Sequence, residues 1–258
     1  MTRAVFDRYK NKLSQNVYGS LKGRLRLTLL ERDVREYVAD FSCQRLSILD
    51  VGCGEGLFAN ICLLAGHAVL LLDASEKMLE SARHHVESGV ASSGAEQVRF
   101  THADFLEWQH TDKKPFDVVL MHGSAEWMPS AEDAIEKAIQ LIRPGGYLSL
   151  LMFNRDVHLL KKGINGHLFG PIPNRKQKLF PPNSQSVAET IELLKQHSGE
   201  ILLQSGIRIF HGFFRAMDVS TVSPDIWLAQ EEAYYRQQPF SRLGQHTHFI
   251  WQKVFSVK

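Results

Sequence analysis

A glycine-rich turn in the first third of the chain carries the clearest chemical signal. The segment 50–56, Asp-Val-Gly-Cys-Gly-Glu-Gly, follows a short apolar run, and Gly52, Gly54 and Gly56 let the backbone approach a ligand closely. Its spacing is G-x-G-x-G, not the G-x-G-x-x-G of dinucleotide-binding turns, and Glu55 stands where a pyrophosphate would sit. A carboxylate there disfavours a phosphate-bearing ligand. The turn therefore predicts a nucleoside cofactor that carries a sulfonium and an amino-acid group instead of phosphates.

Polar residues at the ends of later apolar runs extend this site. Asp73 is placed to accept hydrogen bonds from both ribose hydroxyls, the role of an acid at this point in nucleoside-binding α/β folds. Ala103 and Asp104 are expected at the adenine edge, and His122 over the same crevice. The alternatives are a surface acid at 73, a helix N-cap at 104 and a structural histidine at 122. Together with the turn, the pattern predicts S-adenosylmethionine as the cofactor.

The elements that must position these residues alternate along the chain. Apolar periodicity predicts strands at 46–51, 68–73, 97–101, 116–121, 147–153, 200–210 and 246–254. It predicts helices at 20–41, 57–65, 75–86, 131–142, 186–197 and 225–236. Near-continuous apolar strands alternating with helices indicate an α/β, Rossmann-like fold with a seven-stranded, mostly parallel sheet covered by helices on both faces.

The organisation expected is one domain over residues 1–258. Its parts are an N-terminal helical cap (1–44), a cofactor-binding core (45–153), a basic insert after the fifth strand (154–185) and a C-terminal part of the sheet on the substrate side (186–258). The insert contains glycines, prolines and a basic cluster, so we expect a loop or a small lid there.

Composition excludes some classes of protein. The net charge of +2 falls short of that of a dedicated nucleic-acid-binding domain, but basic residues cluster within 1–28 and 155–178, which leaves a polyanionic partner open. Cys43, Cys53 and Cys62 lack C-x-x-C spacing, so neither a disulfide framework nor a metal site is expected. The N-terminus lacks the apolar core of a signal peptide and no apolar run is long enough to span a bilayer, so we expect a cytoplasmic protein.

A resemblance sharpens these expectations. The glycine turn, Asp73, Ala103-Asp104 and the segment 143–146 (Arg-Pro-Gly-Gly) look like class I S-adenosylmethionine methyltransferases. Further segments resemble the bacterial tRNA 5-carboxymethoxyuridine methyltransferase family, whose members methylate the carboxylate of the modified wobble uridine. These segments are 6–7, 14–19, 22–26, 126–127, 206–211 and 238–240.

The resemblance implies both a cofactor set and a partner, the tRNA anticodon stem-loop. The cofactor contacts that it implies are Arg26, Gly52, Cys53, Asp73, Ala103, Asp104 and His122. The chain departs from the family at Cys53, where glycine is expected, and in the diluted basic run at 174–178.

The expected chemistry needs no general base, because a carboxylate is already ionised at neutral pH. The protein must instead align the oxygen, the methyl carbon and the sulfur. Arg208, on a predicted strand beside His211, is the first choice to hold the substrate, and Tyr18 is expected to touch cofactor or substrate. Base stacking is assigned to Trp127, Tyr18 and Phe240, and phosphate contacts to Lys161, Lys162, Arg175, Lys176 and Lys178.

Three alternatives stay open. A small-molecule carboxyl or hydroxyl O-methyltransferase would use the insert as a lid, with the basic clusters as solvated faces. A non-catalytic cofactor-binding protein could present RNA to another enzyme. Enzymes that use a carboxylated sulfonium to make the wobble precursor share the fold, but nothing clearly marks the extra arginine that their cofactor needs.

Overall fold

A seven-stranded sheet forms the centre of the computed structural model, which describes residues 20–89, 97–166, 180–213 and 221–254. The strands are β1 (Ser47–Val51), β2 (Ala68–Asp73), β3 (Val98–His102), β4 (Phe116–His122), β5 (Ile142–Phe153), β6 (Gly199–Ile207) and β7 (His246–Lys253). Their spatial order is β3-β2-β1-β4-β5-β7-β6, with β1 to β5 parallel and β7 antiparallel to both of its neighbours. The predicted fold class is confirmed.

Helices cover both faces of this sheet. They are α1 (Leu21–Tyr37), α2 (Leu57–Leu64), α3 (Glu76–Gly89), α4 (Ala131–Leu141), α5 (Arg155–Ile164), α6 (Val187–Lys195) and α7 (Pro224–Tyr234). One apolar cluster joins α1, α2 and α3 to one face, around Leu29 and Leu79, and a second joins α4 and α6 to the other, around Ala134 and Leu194. Strands that are buried on both faces explain the near-continuous apolar runs in the sequence.

The described ranges contain no helix that is both long and apolar enough to cross a membrane. Within the same ranges, no three or more metal-ligating side chains come together.

The fifth strand begins earlier than the sequence predicts. The sequence predicts the fifth strand at 147–153, but β5 begins at Ile142 and includes 143–146, where the pairing with β4 shifts register between Phe116 and Val118. Gly145 has a φ of 75°, which absorbs the irregularity without ending the strand.

The insert at 154–185 opens with a helix, α5, so its first third was wrongly expected to be a loop or lid. Asn154 caps the helix, because its side chain accepts hydrogen bonds from the backbone N–H groups of Asp156 and Val157. The basic residues Lys161 and Lys162 therefore lie on the last turn of a helix.

The strand predicted at 200–210 ends at Ile207, which places Arg208 after the strand and not on it. Arg208 has a left-handed backbone, with a φ of 63°, and the chain then turns through residues 209–213. The carboxylate of Glu231 on α7 accepts hydrogen bonds from the N–H groups of Ile209 (2.6 Å), Phe210 (3.0 Å) and His211 (2.8 Å). Three backbone donors converging on one buried acid outweigh continuation of the strand.

Candidate cofactor and substrate site

A cavity opens at the carboxyl edge of the parallel strands, where ligands bind in open α/β sheets. Seven of the residues predicted to contact the cofactor line it: Arg26, Gly52, Gly54, Asp73, Ala103, Asp104 and His122. Cys53 does not line it. Its backbone N–H donates instead to the carbonyl oxygen of Leu72, at 3.1 Å.

The glycine turn is held in a conformation that other residues adopt with strain. Gly52, Gly54 and Gly56 have φ values of 65°, 56° and 70°. A Cβ atom on Gly52 would lie only 2.5 Å from Cβ of Ser124, whose hydroxyl donates to the carbonyl oxygen of Val51 at 2.7 Å. The turn therefore packs its own backbone against the segment after β4 and leaves no room for a side chain.

Asp73 lies in the wall of the cavity and braces the turn. One carboxylate oxygen accepts from the N–H of Gly54 at 2.9 Å, and the other accepts from the N–H of Ser75 at 2.8 Å. Each carboxylate oxygen has two acceptor sites, so both can accept a further hydrogen from a ribose hydroxyl. Burial raises the pKa of Asp73 above its ordinary value.

This end of the cavity is acidic. Burial, and next the charge of Asp73, raise the pKa of Asp50 to about 7. Glu55 is only 2% exposed and does not line the cavity, so the expectation that its carboxylate occupies the phosphate position is not met. Asp73 and Asp104 line the cavity in its place and supply the negative charge that disfavours a phosphate.

The neighbouring wall suits an adenine ring. Met78 and Phe105 provide apolar surface beside Ala103 and Asp104. One carboxylate oxygen of Asp104 accepts from the N–H of Leu106 at 3.0 Å, so the alternative role of Asp104 as a local turn acceptor is present in the structure. The second oxygen remains available within the cavity wall.

The opposite end of the cavity carries a different set of groups, contributed by Arg26, Glu126, Trp127, Phe153 and His246. Glu126 accepts from the N–H of Phe153 at 3.1 Å through one oxygen, and burial raises its pKa to about 7. Burial, followed by the charges of Arg208 and Arg26, holds the pKa of His246 well below its ordinary value. This histidine is therefore a neutral group near two arginines.

The turn after β6 lies next to this end without lining the cavity. Arg208 Nε and His211 Nδ1 are buried and have no hydrogen-bond partner within the described ranges. Burial, and next the charge of Arg26, lower the pKa of Arg208 to about 10. Burial, and next the charge of Arg208, lower the pKa of His211 to about 4, so this side chain is neutral at pH 7.

The remaining residues predicted for the site differ in where they lie relative to the cavity. Lys161 donates to the carbonyl oxygen of Gly212 and to the side chain of Gln245 (3.2 Å), so it braces the turn after β6. Lys162 is exposed and Trp127 lines the cavity, whereas Phe240 packs against the rings of Phe210 and Tyr234. Tyr18, Arg175, Lys176 and Lys178 lie outside the described residues.

Two ionisable residues of the cavity wall, His246 and Glu126, were not predicted from the sequence. His246 begins β7, and because β7 is antiparallel, its first residue lies at the same edge as the last residues of the parallel strands. Recognising the direction of this strand would have identified it. Glu126 was noted only as part of a motif, and the signal overlooked was an acid within the apolar segment 125–128.

The residues present fit an aminoacyl nucleoside with no phosphate. Two glycines of the turn expose backbone to the cavity, Asp73 keeps acceptor capacity for hydroxyls, and the apolar wall beside Asp104 accommodates a base. No side chain of Lys or Arg lines the acidic end among the described residues, and the carboxylates of Asp73 and Asp104 disfavour a pyrophosphate there.

Fold and site together define the class: the chain is a class I S-adenosylmethionine-dependent methyltransferase. A family model described as a methyltransferase domain matches residues 48–146. The chain is 29% identical, over 96% of its length and 95% of the relative's, to the tRNA 5-carboxymethoxyuridine methyltransferase of Escherichia coli.

Two other relatives set the limits of this likeness. The ubiquinone biosynthesis O-methyltransferase of Aromatoleum aromaticum is 34% identical, but over only 42% of this chain and 44% of its own. The structure of the magnesium protoporphyrin IX methyltransferase of Synechocystis with bound SAH superposes with a TM-score of 0.67 over 97% of both chains. Its sequence identity is 16%, so it shows the shared fold alone.

Proposed function

We propose that this enzyme methylates the carboxylate of 5-carboxymethoxyuridine at the wobble position of a tRNA anticodon, giving the methyl ester. The observation that carries the proposal is the pair of arginines at the far end of the cavity. Arg26 lines the cavity, and the buried Arg208 beside it has an Nε with no partner in the described ranges. A guanidinium whose pKa is lowered by a neighbouring guanidinium is a site for an anion.

The acid whose charge acts on Arg208, Glu231, already accepts other hydrogen bonds. Glu231 accepts three backbone hydrogens from the turn that carries Arg208, which leaves it little capacity for a guanidinium. A substrate carboxylate would supply the missing acceptor. We assign Arg208 to the substrate because its guanidinium matches the geometry of a carboxylate. Following the family resemblance, we assign Arg26 to the cofactor.

The neighbouring histidines suit a reaction that needs no proton transfer. The bound cofactor supplies an electrophilic methyl group, and an ionised carboxylate attacks it without a base. His211 and His246 are neutral at pH 7, so they add no charge that would compete for the substrate anion. The protein contributes alignment and the exclusion of water.

The extent of the likeness supports an RNA substrate. The tRNA-modifying relative matches 96% of this chain, including α1 and the segments after β5, whereas the ubiquinone-pathway relative matches 42%. Arg26 on α1 and Arg208 after β6 both lie outside residues 48–146, the range of the general methyltransferase domain. We infer that the parts outside the general domain bind the substrate, and that Trp127 in the cavity wall stacks on the uracil ring.

A direct assay compares three synthetic anticodon stem-loops that are identical except at the wobble base. The base is uridine, 5-methoxyuridine or 5-carboxymethoxyuridine, and the methyl donor carries a labelled methyl group. We expect label on the third RNA alone, released as methanol by mild alkali because a methyl ester hydrolyses there.

Other outcomes would contradict the proposal. Alkali-stable label, or equal labelling of the uridine stem-loop, would rule out esterification of the wobble carboxylate. Faster labelling of small free carboxylic acids than of the stem-loop would favour the small-molecule alternative. Binding of cofactor and stem-loop with no transfer would favour a non-catalytic role.

A further inference from the structure

The turn that follows β3, residues 104–108, forms part of the cavity wall that suits an adenine ring. Asp104 and Phe105 line the cavity. The backbone carbonyl oxygen of Asp104 accepts from the N–H of Trp108 at 2.8 Å, and one of its carboxylate oxygens accepts from the N–H of Leu106 at 3.0 Å. A single residue of the cavity wall therefore binds the N–H groups of residues 106 and 108. We call residues 104–108 the adenine turn.

Lys137 on α4 holds the same two residues by their carbonyl oxygens. Its ammonium donates to the carbonyl oxygen of Leu106 at 3.0 Å and to that of Trp108 at 2.5 Å. The ammonium also lies 5.2 Å from the centre of the Phe105 ring, within the range of a cation–π contact. Lys137 does not line the cavity. The N–H and the carbonyl groups of residues 106 and 108 are therefore all bound, which fixes the adenine turn.

A fixed adenine turn gives the carboxylate of Asp104 a fixed direction in the cavity wall. One oxygen is held by Leu106, so the position of the other oxygen follows from the turn. An ionised carboxylate can only accept hydrogens. Adenine carries an amino group that donates, whereas hypoxanthine carries a carbonyl oxygen at the same position, and that oxygen only accepts. A carboxylate that cannot turn away therefore favours adenine.

We propose that Lys137 is a positioning residue for the cofactor site, which holds the adenine turn in place and thereby makes the site selective for adenine over a base with a carbonyl group at the same position. Lys137 acts through Asp104 and does not itself line the cavity. The inference concerns the cofactor alone. Its test therefore succeeds or fails independently of the proposed RNA substrate.

The chain offers a matched control in Lys253 on β7. Its ammonium donates to the carbonyl oxygens of Ile139 (3.0 Å) and Ile142 (2.8 Å), and burial lowers its pKa as it lowers the pKa of Lys137. Neither Lys253 nor the two residues that it holds line the cavity. K137M and K253M each remove one ammonium from two backbone carbonyl groups, so we expect similar losses of melting temperature for the two variants.

Calorimetry without RNA compares two ligands that differ only in the base, S-adenosylhomocysteine and S-inosylhomocysteine. We expect the unmodified protein to bind the adenine ligand at least about tenfold more tightly than the hypoxanthine ligand. K137M should raise the dissociation constant of the adenine ligand about tenfold and that of the hypoxanthine ligand less than about twofold. K253M should change neither by more than about twofold. No selectivity in the unmodified protein, equal weakening of both ligands in K137M, or the same loss of selectivity in K253M would overturn the proposal.

Amide hydrogen exchange of the unmodified protein covers the case in which K137M fails to fold. The N–H groups of Leu106 and Trp108 donate to Asp104 while the adenine turn is held. We therefore expect both to exchange at least about 100-fold more slowly than in an unstructured peptide before any ligand is added. Fast exchange that becomes slow only with S-adenosylhomocysteine would overturn the proposal, because the ligand and not Lys137 would then order the turn.

Discussion

The two ends of the cavity are built by different means. The cofactor end uses acids and glycines from one continuous stretch, between Gly52 and Asp104, and its shape comes mainly from backbone geometry. The end that we assign to the substrate is formed by His246 at the start of β7, with Arg208 of the turn after β6 next to it, and Arg26 on α1 lines the cavity at the same end. Charge changes sign along the cavity, from Asp73 at one end to Arg26 at the other.

This contrast separates what is general in the enzyme from what is particular. Backbone cradles and an acid for ribose suit a cofactor shared by many enzymes, and the general methyltransferase domain matches residues 48–146, which include that stretch. The arginine end is assembled from segments outside it. Substitutions at the cofactor end should therefore lower the affinity for the cofactor, whereas substitutions at the other end should lower the activity on the RNA. Four predictions test this separation.

The largest effect is expected from Gly52→Ala. A Cβ atom there would lie 2.5 Å from Ser124 Cβ, at a φ of 65°, so the turn must shift. We expect cofactor affinity to fall at least about 100-fold in calorimetry, because left-handed strain and the clash act together. Gly66→Ala is the control: its φ is 91°, but no atom lies within 4 Å of the added carbon. It should lower stability by about 1 kcal/mol and leave cofactor affinity unchanged. Equal effects on affinity would refute the cradle.

Arg208→Gln should lower the activity on the RNA and leave the affinity for the cofactor nearly unchanged. Removing one partner of a buried charge pair costs about 2–5 kcal/mol, so kcat/KM for the modified stem-loop should fall about 100-fold or more. The dissociation constant of the cofactor should stay within about twofold of the original, since Arg208 does not line the cavity. Arg242→Gln makes the same change at an exposed arginine nearby and should leave both quantities unchanged. Full activity of the Arg208 variant would remove the substrate anchor.

Asp73→Asn should weaken the cofactor end by a smaller amount. An amide can satisfy only one of the two backbone donors at Gly54 and Ser75, and it loses the charge that strengthens hydrogen bonds to ribose hydroxyls. We expect cofactor affinity to fall about tenfold in calorimetry, with the affinity for the stem-loop unchanged. Asp117 also accepts a hydrogen bond from a backbone N–H, that of Ser47 (2.7 Å), but it does not line the cavity. Asp117→Asn should therefore not alter cofactor affinity. A greater loss for Asp117→Asn would contradict the assignment.

The smallest effect is expected on the surface. Lys162 is exposed at the end of α5, and we predict that it contacts an RNA phosphate. Lys162→Ala should raise the dissociation constant of the stem-loop about threefold and reduce its salt dependence by about one ion. Lys195→Ala removes an exposed lysine of α6 that pairs with Glu192 and should change neither. Identical salt dependence in all three proteins would place the RNA elsewhere.

The same contrast explains how far the sequence could be interpreted. The cofactor end lies within one stretch, so apolar runs that end in Gly52 or Asp73 predict both the strands and the cavity wall. The substrate end depends on how distant segments meet. Nothing local marks that the strand stops at Ile207, because the cause is Glu231 on a later helix, which accepts three backbone hydrogens from residues 209–211.

The contacts of the buried polar residues could not be predicted from the local sequence either. Asp33 reads as one polar position of an amphipathic helix, and Ser149 as one residue of an apolar strand. Only the three-dimensional arrangement brings them together with His248 and His122, as a chain of side chains whose polar atoms lie 2.8 Å apart. The direction of β7 likewise decides that His246 reaches the cavity.

Methylation of the wobble carboxylate is tested by deleting the gene in its host and analysing the nucleosides of total tRNA by mass spectrometry. We expect the methyl ester of 5-carboxymethoxyuridine to disappear and the free acid to accumulate. A plasmid copy of the unaltered gene should restore the ester, and a copy with Arg208→Gln should restore little of it. Persistence of the ester at its normal level in the deletion strain would contradict the account.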